Sequence, residues 1–240
     1  MMQQEISACV LIIGNEILSG KTQDANLRFL GESFARLGIK LSEARVIRDE
    51  PEVIAAVVNE CRANHTYVFT TGGIGPTHDD MTAESVASAF GVELVLSEEA
   101  ARRIGRGSRD VNPARLKMAM IPAGASLIDN PVSHAPGFRI ENVFVLAGIP
   151  SIARAMFGAV EHELVGGEPI RSRSIDIHRR EGDFAEALSE IASRHPDVEI
   201  GSYPFSREGR FGASIVVRGR EPARIDAALS EIETTICVDE

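Results

Sequence analysis

Three short runs of this chain are apolar at nearly every position: ACVLII (8–13), YVFTT (67–71) and VFVLAG (143–148). A strand with one wet face alternates apolar and polar residues, so an unbroken run marks a strand covered on both faces. Such strands pair in parallel, and each crossover between them needs a helix. The intervening segments supply the helices. Leu27, Leu30, Phe34 and Leu37 share one helical face within 24–37. Ile54, Val57, Val58 and Cys61 recur at helical spacing behind Pro51, which suits a first helical turn. Residues 79–90 and 150–164 read as helices too, and 97–119 as a helix broken near 105–113. EARVI (43–47) and VELVL (92–96) add strands. The order predicts an α/β fold, a three-layer α/β/α arrangement around a mostly parallel sheet.

The pattern changes after GGEP (166–169). RSIDIH (173–178), VEIGSY (198–203) and ASIVVRG (213–219) are strand-like, and 182–194 and 222–236 have helical spacing. The order β-α-β-β-α predicts a small α+β module of split-βαβ type over 170–240, behind a first domain over 1–166.

Charge and cysteine content limit the function classes. A net charge of −10 repels phosphate backbones, so no general nucleic-acid partner is expected. A small phosphorylated ligand remains possible, held by local N–H groups or by a metal on carboxylates. Three scattered cysteines read as reduced core residues of a cytoplasmic protein. No basic stretch leads into an apolar block at the N-terminus, and no apolar run approaches ~18 residues, so neither a signal peptide nor a membrane span is expected.

IIGNEILSGKT (12–22) has the look of a P-loop, but five residues separate Gly14 from Gly20 where that loop needs four. The stronger signal is TTGGIGPTHDDMT (70–82). A buried strand ends at Thr71. Gly72, Gly73 and Gly75 allow tight turns and close approach of a ligand to the backbone, and Pro76 stiffens the loop. Asp79, Asp80 and Thr82 follow at a helix start, where N–H groups can cradle a phosphate and paired carboxylates suit a hard cation. The bland reading is a glycine turn with Asp79 as a helix cap. Asp49, between a strand and a helix, belongs at the same carboxyl edge of the sheet. NPVSHAPGF (130–138) is a polar loop and LAGIPS (146–151) a strand-to-helix turn.

These stretches, with IIGNEILSG (12–20), DANLRFL (24–30), AMIPAGA (119–125) and EIGSYP (199–204), resemble the molybdopterin-binding-like superfamily. Within it the chain is most similar to the competence/damage-inducible protein A branch and to the equivalent domain of eukaryotic FAD synthase. The resemblance implies that Gly14, Asn15 and Glu16 sit near the ligand and that Gly72, Gly73 and Gly75 approach its phosphates. It places Asp49 and Asp80 at the acidic positions that bind a metal or act on the phosphates. Thr71, Pro76, Thr77, Thr82 and Ser133, in the matching stretches, are the remaining expected ligand contacts.

The resemblance further implies a nucleotide or pterin ligand and a homo-oligomer, dimer or trimer. Members of the adenylyltransferase type carry an Arg where this sequence has Asp79, and many relatives have Pro in place of Ala147. Exchanging a fixed cation for a carboxylate favours a metal-bridged diphosphate. The expected function is a pyrophosphatase dependent on a divalent metal, Mg or Co. It would cleave a nucleoside diphosphate-linked compound of ADP-ribose or FAD type and release AMP, with Asp49, Asp79 and Asp80 as catalytic carboxylates. The alternatives are a protein that only binds molybdopterin or an adenine nucleotide, and a molybdopterin adenylyltransferase.

Overall fold

The computed structural model describes residues 6–107, 112–207 and 210–237. Two compact units divide the chain, Met1–Gly167 and Glu168–Glu240.

In the first unit, β1 (Ser7–Ile13), α1 (Asn15–Leu18), α2 (Asn26–Arg36), β2 (Lys40–Ile47), α3 (Pro51–Asn64), β3 (Tyr67–Thr71) and α4 (Thr82–Phe90) follow in order. Next come β4 (Leu94–Leu96), α5 (Glu98–Gly107), α6 (Pro113–Lys117), β5 (Met120–Pro122), β6 (Ser126–Ile128), β7 (Gly137–Ile140), β8 (Val143–Leu146) and α7 (Pro150–Val160). The main sheet has the order β2-β1-β3-β8-β7-β6, while β4 and β5 pair separately. β2, β1, β3 and β8 are parallel, and β7 and β6 run antiparallel at one end.

The apolar runs are buried on both sides, as their composition requires. Along β1, Ala8, Val10 and Ile12 join the core under α2 and α7, and Cys9, Leu11 and Ile13 join the core under α3 and α4. Phe69 and Phe144, opposite one another on β3 and β8, stack at 4.6 Å, and Phe34 of α2 closes on Phe69 at 5.1 Å. α3, α6 and α7 each begin on a proline in the first turn, where the missing N–H costs no hydrogen bond.

Two local expectations are corrected. The helix expected from 79 begins at Thr82, because Asp79 and Asp80 turn their side chains back onto Thr77. The polar loop 130–138 ends inside β7, at Gly137 and Phe138, which pair with Ile128 and Leu127 of β6. The break expected near 105–113 falls partly outside the described residues.

The second unit runs β9 (Arg171–Ile177), α8 (Ala185–Arg194), β10 (Glu199–Arg207), β11 (Arg210–Gly219) and α9 (Pro222–Ile236). β11 lies between β9 and β10 and is antiparallel to both. Ile177, Ile191, Ile215, Val217, Ile225 and Ile232 form its core. Among the described residues no helix is long and apolar enough to cross a membrane.

Candidate functional site

In the first unit the sheet order steps outward from β1 to β2 on one side and to β3 on the other. Ligands of open α/β sheets collect beyond the carboxyl ends of the strands at such a reversal. A cavity of about 720 Å³ lies there. The segments following β1, β2, β3 and β8 line it, with contributions from α6 and the 130–135 loop.

The loop after β3 is held in a shape that only glycine permits. Gly72 and Gly73 have φ of 103° and 68°. A β-carbon would stand 2.1 Å from the Ile13 carbonyl at Gly72, and 2.1 Å from Thr82 Oγ1 at Gly73. Thr82 is fully buried beneath the loop; its hydroxyl donates to the Gly72 carbonyl at 3.0 Å and its N–H to the Gly73 carbonyl at 3.0 Å. Thr71 is buried as well. Both threonines therefore support the loop from below and line no part of the cavity. Gly72, Gly73, Gly75 and Pro76 do line it. Among the described residues, nothing accepts from the N–H groups of Gly73, Ile74 or Gly75.

Thr77 closes the loop instead of facing the cavity. Its N–H donates to Asp80 Oδ2 at 2.8 Å, and its hydroxyl shares its one hydrogen between Asp79 Oδ1, at 2.6 Å, and Asp80 Oδ2. Lys117 of α6 donates to the Thr77 carbonyl. The Thr77 hydroxyl holds the exposed Asp79 carboxyl below the usual carboxylate range, helped by its backbone bond and the charges of His78 and Lys117. Neither aspartate caps α4, whose first turn has no side-chain cap.

The opposite wall is built from the loops after β1 and β2. The Gly14 N–H donates to the Ile47 carbonyl at 3.2 Å and the Asn15 N–H to Asp49 Oδ2 at 2.9 Å, which ties the two loops together. Gly14 and Asn15 thus position Asp49, whereas Glu16 lines the cavity itself. Burial raises the Asp49 pKa; the Asn15 N–H pulls it back, and the charges of Glu16, Asp79 and Asp80 push it up further. Asp49 therefore feels the charge of the three other carboxylates that line the cleft.

Ser133 also lines the cavity. It is held by Asn130, a buried side chain that donates to Ser133 Oγ at 2.6 Å and to the Ala135 carbonyl at 2.7 Å. Thr22, Arg115, Asn130 and Gly148 line the cavity without having been expected there. Gly148 belongs to the LAGIPS turn, and Asn26 of α2 donates to its carbonyl at 2.8 Å. Arg115 brings a cation to a cleft that Asp79 also lines.

Oxygen donors suit a hard divalent ion. Among the described residues no three carboxylates of the cleft bring donor atoms within 4.8 Å of one another. Mg²⁺ needs only one or two carboxylates, since water and substrate phosphates fill its remaining positions. Asp49 and Asp80 both line the cavity and could serve as such ligands.

Comparison with known proteins places this geometry. Residues 9–165 match the family described as "Probable molybdopterin binding domain", and residues 169–239 match "FAD synthase, middle domain". A protein of Archaeoglobus fulgidus is 31% identical over 93% of this chain and 95% of its own length. A "Probable FAD synthase" of Caenorhabditis elegans is 29% identical over 96% of this chain, which spans 50% of that protein. The crystal structure of "the protein CinA with unknown function" from Thermoplasma acidophilum superposes with a TM-score of 0.63 at 34% identity, covering 67% of this chain and 99% of that one. The chain belongs to the molybdopterin-binding domain family.

Proposed function

We propose that the first unit is a pyrophosphatase dependent on a divalent metal, cleaving a nucleoside diphosphate-linked compound of ADP-ribose or FAD type to release AMP. The observation that carries this reading is one cleft with two opposed properties. The glycine loop offers backbone N–H donors suited to phosphate oxygens, yet Glu16, Asp49, Asp79 and Asp80 line the same space. Such a cleft repels a bare diphosphate, and a cation between ligand and carboxylates removes the repulsion. Mg²⁺ or Co²⁺ on Asp49 and Asp80 would polarise the diphosphate and lower the pKa of an attacking water. The loop N–H groups of Gly73 and Gly75 are placed to stabilise charge developing on the phosphate oxygens. Arg115 orients the diphosphate, and Asn15 keeps the Asp49 carboxylate turned to the cleft. The apolar side of the cavity, with Ile149, Ile152 and Met156, suits a flat base or flavin ring.

The reading includes a homo-oligomer, dimer or trimer, which light scattering on the full chain would count. The test of activity is incubation with ADP-ribose, FAD, NAD and ATP, each with Mg²⁺, Co²⁺ or EDTA, followed by chromatography. AMP released with metal and lost in EDTA supports the reading. Ligand retained without product identifies a binding protein, and ATP-dependent adenylation of molybdopterin identifies an adenylyltransferase.

A further inference from the structure

A second set of metal-ligating side chains lies away from the cleft, between β1, β2 and α3. Cys9 and Cys61 are fully buried, and the Cys9 thiol donates to Cys61 Sγ at 3.5 Å. Glu43 stands beside them: the donor atoms of Cys9, Glu43 and Cys61 all lie within 4.8 Å of one another. Glu43 reaches this position through a bulge. Ala8 pairs with Leu41 but Cys9 pairs with Glu43, so Ser42 is the extra residue. A bulge re-aims the side chain that follows it, here carrying a carboxylate to two thiols inside an otherwise apolar layer. His65 Nε2 lies 3.3 Å from Glu43 Oε2, and Arg45 Nε donates to Glu43 Oε1 at 2.6 Å. His65 Nδ1 is buried without a partner among the described residues.

We propose that Cys9, Cys61 and Glu43 form a structural binding site for a thiophilic divalent cation, zinc above all, distinct from the magnesium-type cleft. The sulfur spacing separates this from a disulfide. Two thiolates on one tetrahedral zinc, with bonds of about 2.3 Å, stand about 3.8 Å apart. A disulfide needs about 2.05 Å. The observed 3.5 Å is a few tenths of an ångström from the first arrangement and far from the second. A divalent ion offsets most of the −3 carried by two thiolates and Glu43, while Arg45 is shared between Glu43 and Glu60. Both thiol protons leave to solvent as the metal–sulfur bonds form, and nothing is oxidised or reduced. Glu43, whose side chain is 34% exposed, gives the ion its way in. His65 orients Glu43 by hydrogen bonding, and water fills the remaining position on the ion.

Titration of the full chain with Co²⁺ alone tests the site. Sulfur-to-cobalt charge-transfer absorption, with the intense visible bands of four-coordinate cobalt, is expected to saturate at one equivalent and to vanish when Zn²⁺ is added. An all-oxygen cleft gives no such absorption, so Asp80→Asn leaves it unchanged. Cys61→Ala abolishes it. Glu43→Gln, at a partly exposed position that keeps both thiols, weakens cobalt binding roughly 10–100-fold, the range for altered metal surroundings. No charge-transfer band in the wild-type chain with cobalt in large excess overturns the proposal. So does a band that survives Cys61→Ala, or an intact mass showing Cys9 and Cys61 joined as a disulfide.

Discussion

Asp49 shows how a single residue can be costly to the fold while serving the proposed site. Its carboxyl is half-buried, within reach of the charges of three others, and its pKa is raised. A raised folded-state pKa means that this group costs nothing while protonated and removes stability as pH climbs above 3.8, its ordinary value. Asp49→Asn is therefore expected to melt no lower than the wild type at pH 7, and the advantage is expected to disappear as pH falls into the carboxylate range. Turnover in the same variant should fall at least ~100-fold, the scale of losing one electrostatic contributor. A thermal scan across pH and a product assay check both halves; a strongly destabilised variant would show that Asp49 braces the loops instead. Thr82 is the contrasting residue. Thr82→Val leaves the Gly72 carbonyl unbonded and should cost about 1–3 kcal/mol in denaturant melts. The glycines and aspartates were legible in the sequence because they lie in the loops that lead from a strand end to the next helix. Arg115 was not, since α6 reaches the cleft only through tertiary folding, and of the 130–135 loop Ser133 was expected but Asn130 was not. The buried roles of Thr71 and Thr82 were hidden for the same reason, as a hydroxyl in a glycine loop looks alike above it or below.

Among the elements, β1, β3 and β8 were legible because burial on both faces leaves a largely apolar run, whereas the polar edge strand β2 begins three residues before the expected 43–47. β5, β6 and β7 were not legible: they have three or four residues each and are interrupted by Pro122 and Gly137. β7 pairs with β8 and β6 with β7, whereas β5 pairs with β4 apart from the main sheet. The central strands carry the layer beneath the site. Phe69 packs on Phe34, Phe144 and Phe157. Phe69→Ala is expected to cost about 3–5 kcal/mol, measured by equilibrium unfolding, because no neighbour of similar size can fill the space. A cost below 1 kcal/mol would mean that the aromatic layer collapses freely.

At the scale of the whole molecule, the change of strand pattern after 166–169 stands beside the division at Gly167 and Glu168. Every residue lining the main cavity lies between Ile13 and Met156. A change in the core of the second unit is thus expected to leave chemistry intact. Ile215→Ala should destabilise that unit by about 2–5 kcal/mol, yet AMP release at 25 °C should stay within twofold of the wild type. Loss of turnover with the first unit still folded would mean that the cleft depends on the smaller unit.

The bulge that turns Glu43 inward has one more effect. β2 is the outer strand of its sheet, and an outer strand is a template on which other chains can stack. Interrupting it near Ser42, with Lys40 and Arg45 close by, spoils that template. At the other border β6 offers only three residues. The main sheet is therefore a poor template at either side. Copies of the first unit that associate are expected to meet through helices and loops rather than by extending the sheet.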